Sequence, residues 1–131
     1  MVIRTTEHTE RFDITYFMFK STINRLVKKI LQSNIKYEAI YAIPRGGLIL
    51  GVYLSHILKL PMLSGRSLIK KNTLIVDDIC DTGLTLSKFK NNNKVVIVTK
   101  SAGLDTCPDL MYAYGVANHI WVRFPWEVDD V

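Results

Sequence analysis

Short apolar segments recur along the chain, and polar residues or glycine bound each of them. The clearest are Ala39–Ile43, Thr73–Val76 and Lys94–Thr99, which are rich in β-branched residues, and Pro61–Ser64 is a shorter example. Runs of four to eight such residues are typical of strands that are buried on both faces of a sheet. The pattern therefore predicts several buried strands.

Between these segments the apolar residues follow helical spacing. Thr15 is suited to cap a helix that runs to about Ser33. The predicted buried face of this helix consists of Phe19, Ile23, Leu26, Val27, Ile30 and Leu31. Leu48–Leu58 predicts a second helix, and Leu84–Lys90 predicts a third. Strands that alternate with helices indicate an α/β fold, with a mostly parallel sheet flanked by helices and right-handed crossovers.

The last part of the chain predicts a smaller unit. Tyr112–Val116 and His119–Phe124 look like a late pair of strands. We expect the C-terminal tail, together with the first residues, to form a small hood over the strand ends. Trp126 is expected to pack in the core.

Composition and charge place the chain among globular proteins. It has 131 residues, 48% of them hydrophobic and 22% charged, which predicts one domain over residues 1–131. Met1–Glu10 is polar, and the longest nearly apolar run is too short to span a bilayer. Cys80 and Cys107 lack a metal-ligand spacing and are expected to be free thiols in the cytoplasm. The net charge of +5 suits an acidic small molecule or nucleic acid, although a solvated basic face is the simpler interpretation.

The most informative segment begins where the strand Thr73–Val76 ends. Asp77 and Asp78 follow it, and open α/β sheets bind their ligands at such strand ends. The loop Asp81-Thr82-Gly83-Leu84-Thr85 comes next, with two hydroxyls and a glycine that lets backbone amides approach a ligand. Because this loop has no lysine, unlike a triphosphate-binding P-loop, we expect it to bind one phosphate monoester.

The acids need a different partner, because like charges repel. Carboxylates accept hydrogen bonds from sugar hydroxyls and bind Mg2+. Phosphate, diol and metal on one short loop together describe a 5-phosphorylated ribose. The alternative is a strand that ends in solvated acids at a turn.

Two more strand ends carry polar residues. Ala39–Ile43 runs into Pro44-Arg45-Gly46-Gly47, where exposed amides and the forked guanidinium of Arg45 predict a second anion site. An ordinary turn with a solvent-facing arginine is the alternative. Lys100 follows Lys94–Thr99 and is able to donate to a carbonyl oxygen of a bound base, or is merely solvated.

The apolar strand, the two acids and Asp-Thr-Gly-x-Thr resemble the ribose-phosphate signature of the type I phosphoribosyltransferases. The resemblance implies that Arg45 and Gly46 hold the pyrophosphate of 5-phosphoribosyl 1-pyrophosphate (PRPP). It implies that Asp77, Asp78 and the loop Asp81–Thr85 hold its ribose 5-phosphate. Mg2+ is the implied cofactor, with Asp78 as its ligand.

The C-terminal part narrows the resemblance to the xanthine–guanine phosphoribosyltransferases. It rests on Lys-x-Ala-Gly from Lys100 and on Trp-x-x-x-Pro-Trp-acid from Trp121. The family implies that Lys100 contacts the purine 6-oxo group, that Trp121 stacks on the base and that the Val122 carbonyl meets its exocyclic substituent. Asp81 is then the general acid/base near purine N7.

These resemblances predict a purine phosphoribosyltransferase that acts on guanine, xanthine or hypoxanthine, forms a homodimer or homotetramer and does not bind a membrane. Family members carry a long mobile loop before the central strand, whereas only Gly65–Asn72 is present here. Arg66, Lys70 and Lys71 in this segment are expected to give partial electrostatic cover to the pyrophosphate. A non-catalytic nucleotide- or PRPP-binding regulator and an RNA-binding module are the alternatives.

Overall fold

The computed structural model describes residues 3–6 and 9–128. Residues 1, 2, 7 and 8 of the polar N-terminal segment, and residues 129–131, lie outside the described residues. The strands are β1 (Ile3–Thr6), β2 (Thr9–Asp13), β3 (Ala39–Ala42), β4 (Thr73–Val76), β5 (Ile79–Cys80), β6 (Lys94–Lys100), β7 (Met111–Val116) and β8 (Trp121–Arg123). The α-helices are α1 (Tyr16–Gln32), α2 (Gly47–Leu58) and α3 (Ser101–Thr106).

The main sheet is parallel throughout its described pairings. β3 pairs with β4, and β4 and β5 both pair with β6, whose other edge carries β7. Because β4 pairs with the start of β6 and β5 with its end, β4 and β5 are two parts of one extended segment. The predicted α/β fold is confirmed, and β3, β4 and β6 lie within one residue of their predicted bounds.

Two α-helices cover one face of the sheet. The Thr15 hydroxyl accepts a hydrogen bond from the Met18 amide at 3.3 Å, which confirms the predicted cap of α1. The buried residues of α1 and α2 share one core cluster with Leu74 and Val76 of β4. Leu31 was predicted on this buried face but is 63% exposed. One residue rotates a helix by about 100°, and the neighbouring Ile30 takes the buried position.

The opposite face of the sheet carries a second cluster. Ile75 points to this side, because successive residues of a strand alternate between faces. The members are Ile75, Cys80, Leu86, Phe89, Val96, Cys107 and Leu110. Both cysteines are buried and free, as predicted. The segment that follows β5 and the segment around α3 therefore cover this face.

A third α-helix over Leu84–Lys90 was predicted, and this is wrong. Only Leu86–Lys88 is helical, as one turn of 3-10 helix. Seven residues before Asn91–Asn93 are too few to stabilise an isolated α-helix, and the Ser87 hydroxyl donates back to the Leu84 carbonyl at 2.9 Å. Similarly, Pro61–Ser64 contributes only an isolated bridge between Met62 and Ile40.

The predicted hood is present as a second sheet. β2 pairs with β1 in antiparallel fashion and with β8 in parallel fashion. The two late strands are present as β7 and β8 and lie in different sheets, since β7 pairs with β6 and β8 with β2. Buried backbone groups along the second edge of β6 need partners, and β7 supplies them. Among the described residues, no helix is both long and apolar enough to cross a membrane.

Candidate functional site

The acid pair lies between β4 and β5, where the strand is interrupted. The carbonyl oxygen of Asp78 accepts hydrogen bonds from two consecutive amides of β6, those of Ile97 at 3.0 Å and Val98 at 3.2 Å. Asp77 Oδ1 accepts from the Asp78 amide at 2.8 Å, and Asp78 Oδ1 accepts from the Ile79 amide at 2.8 Å. Backbone donors thus fix both carboxyl groups.

The two acids do not ionise independently. Burial, together with the side-chain hydrogen bond and the charge of Asp78, raises the pKa of Asp77 from 3.8 to about 8. In the ligand-free protein Asp77 is therefore largely protonated at neutral pH. A cation or a set of hydroxyl donors at this place would favour the ionised form.

The glycine loop after β3 touches the acid pair. A Cβ built at Gly46 would collide with the carboxyl group of Asp78, and one at Gly47 would lie 2.6 Å from the Val76 carbonyl oxygen. Glycine is required here because any side chain would push the loop away. Arg45 is exposed beside Gly46, and the Pro44–Arg45 peptide bond is cis. The two predicted anion sites are therefore neighbours, with the acids between them.

The predicted phosphate loop forms its own recess. Residues 81–85, together with Asp77, Ile79, Cys80 and Leu86, line a cavity of about 230 Å³. Gly83 has φ = +87°, which glycine adopts without strain, and the Leu84 amide donates to the Thr82 hydroxyl at 3.3 Å. The α-helix start that was expected to supply amides is absent from this part of the described chain. The donors of the recess are instead loop amides and hydroxyls.

Lys100 lies at the carboxyl end of β6 and is not a solvated lysine. Its side chain is 14% exposed, and its Nζ lies 3.5 Å from Asp81 Oδ1. The structure thus brings together the predicted base-binding residue and the predicted general acid/base.

Two residues around this pair were not predicted. The Asn118 side chain accepts a hydrogen bond from the Ala102 amide at 2.8 Å, and the Thr106 hydroxyl donates to the Thr82 carbonyl at 2.8 Å. No local motif marks either residue, because each contact joins segments that are distant in the chain.

The two tryptophans have different environments. Trp121 is 58% exposed on the hood strand β8, where an aromatic face is free to stack. The neighbouring Val122 has a buried side chain and pairs with Phe12 of β2. Trp126 stacks on Phe124 at a centroid distance of 5.0 Å, which confirms its predicted packing role. No contact described in residues 9–128 joins Trp121 to Lys100 or Asp81.

The fold is similar to those of several solved structures. No protein-family model matches the chain. Among solved structures, a purine phosphoribosyltransferase from Pyrococcus horikoshii is similar, with a TM-score of 0.74, 27% identity and coverage of 92% of this chain and 97% of that one. The xanthine-guanine-hypoxanthine phosphoribosyltransferase of Helicobacter pylori has a TM-score of 0.74 and 24% identity, over 93% of this chain and 95% of that one.

A hypothetical protein from Neisseria gonorrhoeae with bound ppGpp has a TM-score of 0.72 and 21% identity, over 94% of this chain and 93% of that one. These likenesses extend over nearly the whole chain and agree with the Asp-Thr-Gly-x-Thr loop at the carboxyl edge. The chain has the fold of the type I phosphoribosyltransferases. The resemblance seen in its sequence is confirmed.

The shortened loop, Gly65–Asn72, does not cover the strand ends. Asn92 Nδ2 donates to the carbonyl oxygens of Lys70 at 2.8 Å and Lys71 at 3.5 Å, and the Lys70 amide donates to the Thr73 hydroxyl at 3.0 Å. These contacts hold both lysines at the amino end of β4, about 13 Å of strand away from the acids. The expected electrostatic cover by Lys70 and Lys71 is therefore wrong.

The third cation of the loop is also held elsewhere. The Arg66 guanidinium lies 4.6 Å from the centroid of the Phe89 ring, on the second core cluster. A loop of eight residues with one turn of 3-10 helix at Arg66–Leu68 has little length left to reach the opposite edge.

The acid pair offers the carboxylate oxygens that a magnesium ion bound together with substrate would need. Among the described residues, no group of three or more His, Cys, Asp or Glu side chains is placed to hold a metal. Mg2+ is commonly held by one or two carboxylates and by substrate phosphate oxygens, so a complete protein cage is not needed. Asp78, with Asp77 beside it, is the donor set that this edge offers.

Proposed function

We propose that the protein transfers the 5-phosphoribosyl group from PRPP to a 6-oxopurine and releases pyrophosphate. The proposal rests on one observation. The cavity lined by residues 81–85, the acid pair and the Lys100–Asp81 pair lie at one edge of the sheet. The similarity to a purine phosphoribosyltransferase at 27% identity supports the same class of reaction.

The roles for PRPP follow from the donors and acceptors in place. Thr82, Gly83, Leu84 and Thr85 bind the 5-phosphate through loop amides and hydroxyls. The carboxyl groups of Asp77 and Asp78 accept hydrogen bonds from the ribose hydroxyls. Arg45 and the amides near Gly46 bind the pyrophosphate, and their donors stabilise its negative charge as it leaves.

The roles for the base require Lys100 to change partner. Lys100 donates to the 6-oxo group of the purine and releases Asp81. Asp81 then accepts the proton that purine N7 gives up. Trp121 stacks on the ring, and the carbonyl of Val122 meets its exocyclic substituent. The bond between the sugar carbon and pyrophosphate breaks while the bond to the purine nitrogen forms. Bound Mg2+, held by Asp78 with Asp77 and substrate oxygens, would supply positive charge that stabilises the leaving pyrophosphate.

The test is nucleotide formation by the purified protein with Mg2+ and PRPP. Guanine, xanthine and hypoxanthine are supplied one at a time, and nucleotide and pyrophosphate are both quantified. We expect equal amounts of the two products and no pyrophosphate without a base. Pyrophosphate release that does not depend on a base would indicate hydrolysis and contradict the transfer.

A non-catalytic nucleotide-binding regulator is the second candidate function. The position of Lys70 and Lys71 favours it, because a reacting sugar carbon needs protection from water that this loop does not supply. Tight binding of GMP without product at any protein concentration would identify the regulator. A second subunit is the other possible source of cover, and the protein is proposed to act as a cytoplasmic homodimer or homotetramer.

A further inference from the structure

Helix α3 holds the phosphate loop from both of its ends. Just before the helix begins, Lys100 Nζ lies 3.5 Å from Asp81 Oδ1. At its last residue, the Thr106 hydroxyl donates to the Thr82 carbonyl oxygen at 2.8 Å, which is nearer than its other acceptor, the Ala102 carbonyl oxygen at 3.2 Å. Two adjacent loop residues are thus attached to the two ends of one six-residue helix.

The packing between α3 and the loop is equally close. A Cβ built at Gly83 would lie 2.6 Å from the Cβ of Thr106, so the threonine side chain fills the space beside the glycine. The thiol of Cys107 lies 3.9 Å from the Gly83 carbonyl oxygen. A Cβ at Gly103 would lie 2.6 Å from the sulfur of Cys80, which immediately precedes the loop. The loop therefore rests directly on this helix.

The hydrogen bond from Thr106 fixes the direction of a backbone donor. The carbonyl of Thr82 and the amide of Gly83 belong to one planar trans peptide and point in opposite directions. Holding the carbonyl towards α3 directs the Gly83 amide away from the helix. Glycine adopts positive and negative φ almost equally well, so its own sterics would not prevent this peptide from turning over. A turned peptide would present a carbonyl oxygen to a phosphate and repel it.

We infer that Thr106 is a positioning residue for the phosphate loop, whose hydroxyl keeps the Thr82–Gly83 peptide in the orientation that binds an anion. The inference rests on the proposed binding of a 5-phosphate at this loop. Thr106 acts through the Thr82 carbonyl and takes no part in the bond-breaking step.

The test compares two ligands that differ only in the phosphate, GMP and guanosine, by calorimetry on the purified full chain. Thr106→Val keeps the shape of the side chain and removes the donor, whereas Thr106→Ser keeps the donor. We expect Thr106→Val to weaken GMP binding about two- to tenfold, as the loss of one hydrogen bond would do, and to leave guanosine binding unchanged. Thr106→Ser should bind GMP as the wild type does. Asp105→Asn, an exposed change on the same helix, is the matched control.

Three results would overturn the inference: equal GMP affinity in Thr106→Val and wild type, an equal loss for GMP and guanosine, or an equal loss in Thr106→Ser and Thr106→Val. Thermal unfolding of each variant is measured alongside. If Thr106→Val does not fold, Thr106→Ala removes the same hydroxyl with less bulk and is subject to the same three criteria. A wild-type protein that binds guanosine as tightly as GMP would instead overturn the phosphate site itself.

Discussion

Burial, followed by the neighbouring Asp78, opposes the ionisation of the Asp77 side chain and raises its pKa. Its pKa of about 8 means that the folded protein holds a proton that the unfolded chain, with a pKa of 3.8, releases. Stability therefore falls as the pH rises from about 4 to about 8. A cation or hydroxyl donors that bind the folded site add stability by mass action.

We predict that Asp77→Asn stabilises the metal-free protein at pH 7. Asn removes the ionisation and keeps an oxygen that accepts from the Asp78 amide. After allowance for the partial exposure of Asp77, the gain should be about 1–3 kcal/mol. Urea unfolding in a chelator at pH 4 to 8 measures it, and the difference from wild type should shrink towards pH 4. A gain that is equal at all pH values would contradict the protonation argument.

Gly83→Ala should weaken GMP binding at least tenfold and lower the free energy of unfolding by about 1–3 kcal/mol. The added Cβ meets Thr106 at 2.6 Å, and φ = +87° is strained for alanine. Gly115→Ala is the control, because its Cβ would make only an ordinary 3.5 Å contact with Tyr112. Calorimetry with GMP and urea unfolding give the two readouts. Unchanged GMP affinity in Gly83→Ala would rule out the phosphate loop.

At the scale of elements, four strands of the main sheet lead to polar residues of the candidate site. β3 leads to Arg45 and Gly46, the acid pair lies between β4 and β5, β5 leads to the phosphate loop, and β6 ends in Lys100. Parallel pairing brings these ends to one edge. The hood strand β8 adds an exposed aromatic side chain from a second sheet.

We predict that Trp121 contributes to base binding and Trp126 to stability. Trp121→Ala should cost base affinity of about 1–3 kcal/mol, because stacking is lost, and should leave ribose 5-phosphate binding and stability unchanged. Trp126→Ala should instead lower the melting temperature, since Trp126 packs against Phe19 and Phe124. Binding of guanine and of ribose 5-phosphate is measured for both variants. Equal loss of both ligands in Trp121→Ala would refute the base site.

The shortened loop gives a prediction opposite to the one its charges suggest. Lys70→Ala/Lys71→Ala should change guanine-dependent pyrophosphate release less than twofold, because both lysines are held at the amino end of β4. Arg45→Ala should slow the release at least tenfold, by loss of a charge-assisted contact. Single-turnover measurements distinguish them. If the double lysine variant is the slower one, the loop moves over the site during the reaction.

At the scale of the whole molecule, the helix α2 is apolar on more than its buried side. Leu48, Val52, Tyr53 and Ile57 are each 40–48% exposed. A helix that is apolar all round is usually buried, and one monomer covers only one side of this helix. We predict that this surface forms the contact between subunits of the proposed homodimer or homotetramer.

We predict that Val52→Glu/Ile57→Glu lowers the mass of the protein in solution to that of a monomer. Two buried charges at an apolar contact are strongly unfavourable, whereas Lys28→Glu on the exposed side of α1 should have no effect. Light scattering during size-exclusion chromatography measures the mass. A wild-type protein that is already monomeric would contradict the prediction.

The sequence by itself predicted three strands of the main sheet and the candidate residues of the site, whose roles stay predictions. Local signals carry this information: β-branched runs mark β3, β4 and β6, Thr15 caps α1, and the Asp-Thr-Gly-x-Thr loop has a fixed spacing. Such features depend on residues that are close in the chain, so their physics is visible without a fold.

Only the tertiary structure decided the partners of these elements. The pairing of β7 with β6, the attachment of Lys70 and Lys71 to Asn92, and the contact of Thr106 with Thr82 join segments that are distant in sequence. The pKa of Asp77 also depends on the fold, because burial of its side chain raises it. The approach of Gly46 to Asp78 is likewise a contact between segments that are distant in sequence. Hydrogen bonds and burial across such distances exist only once the chain has folded.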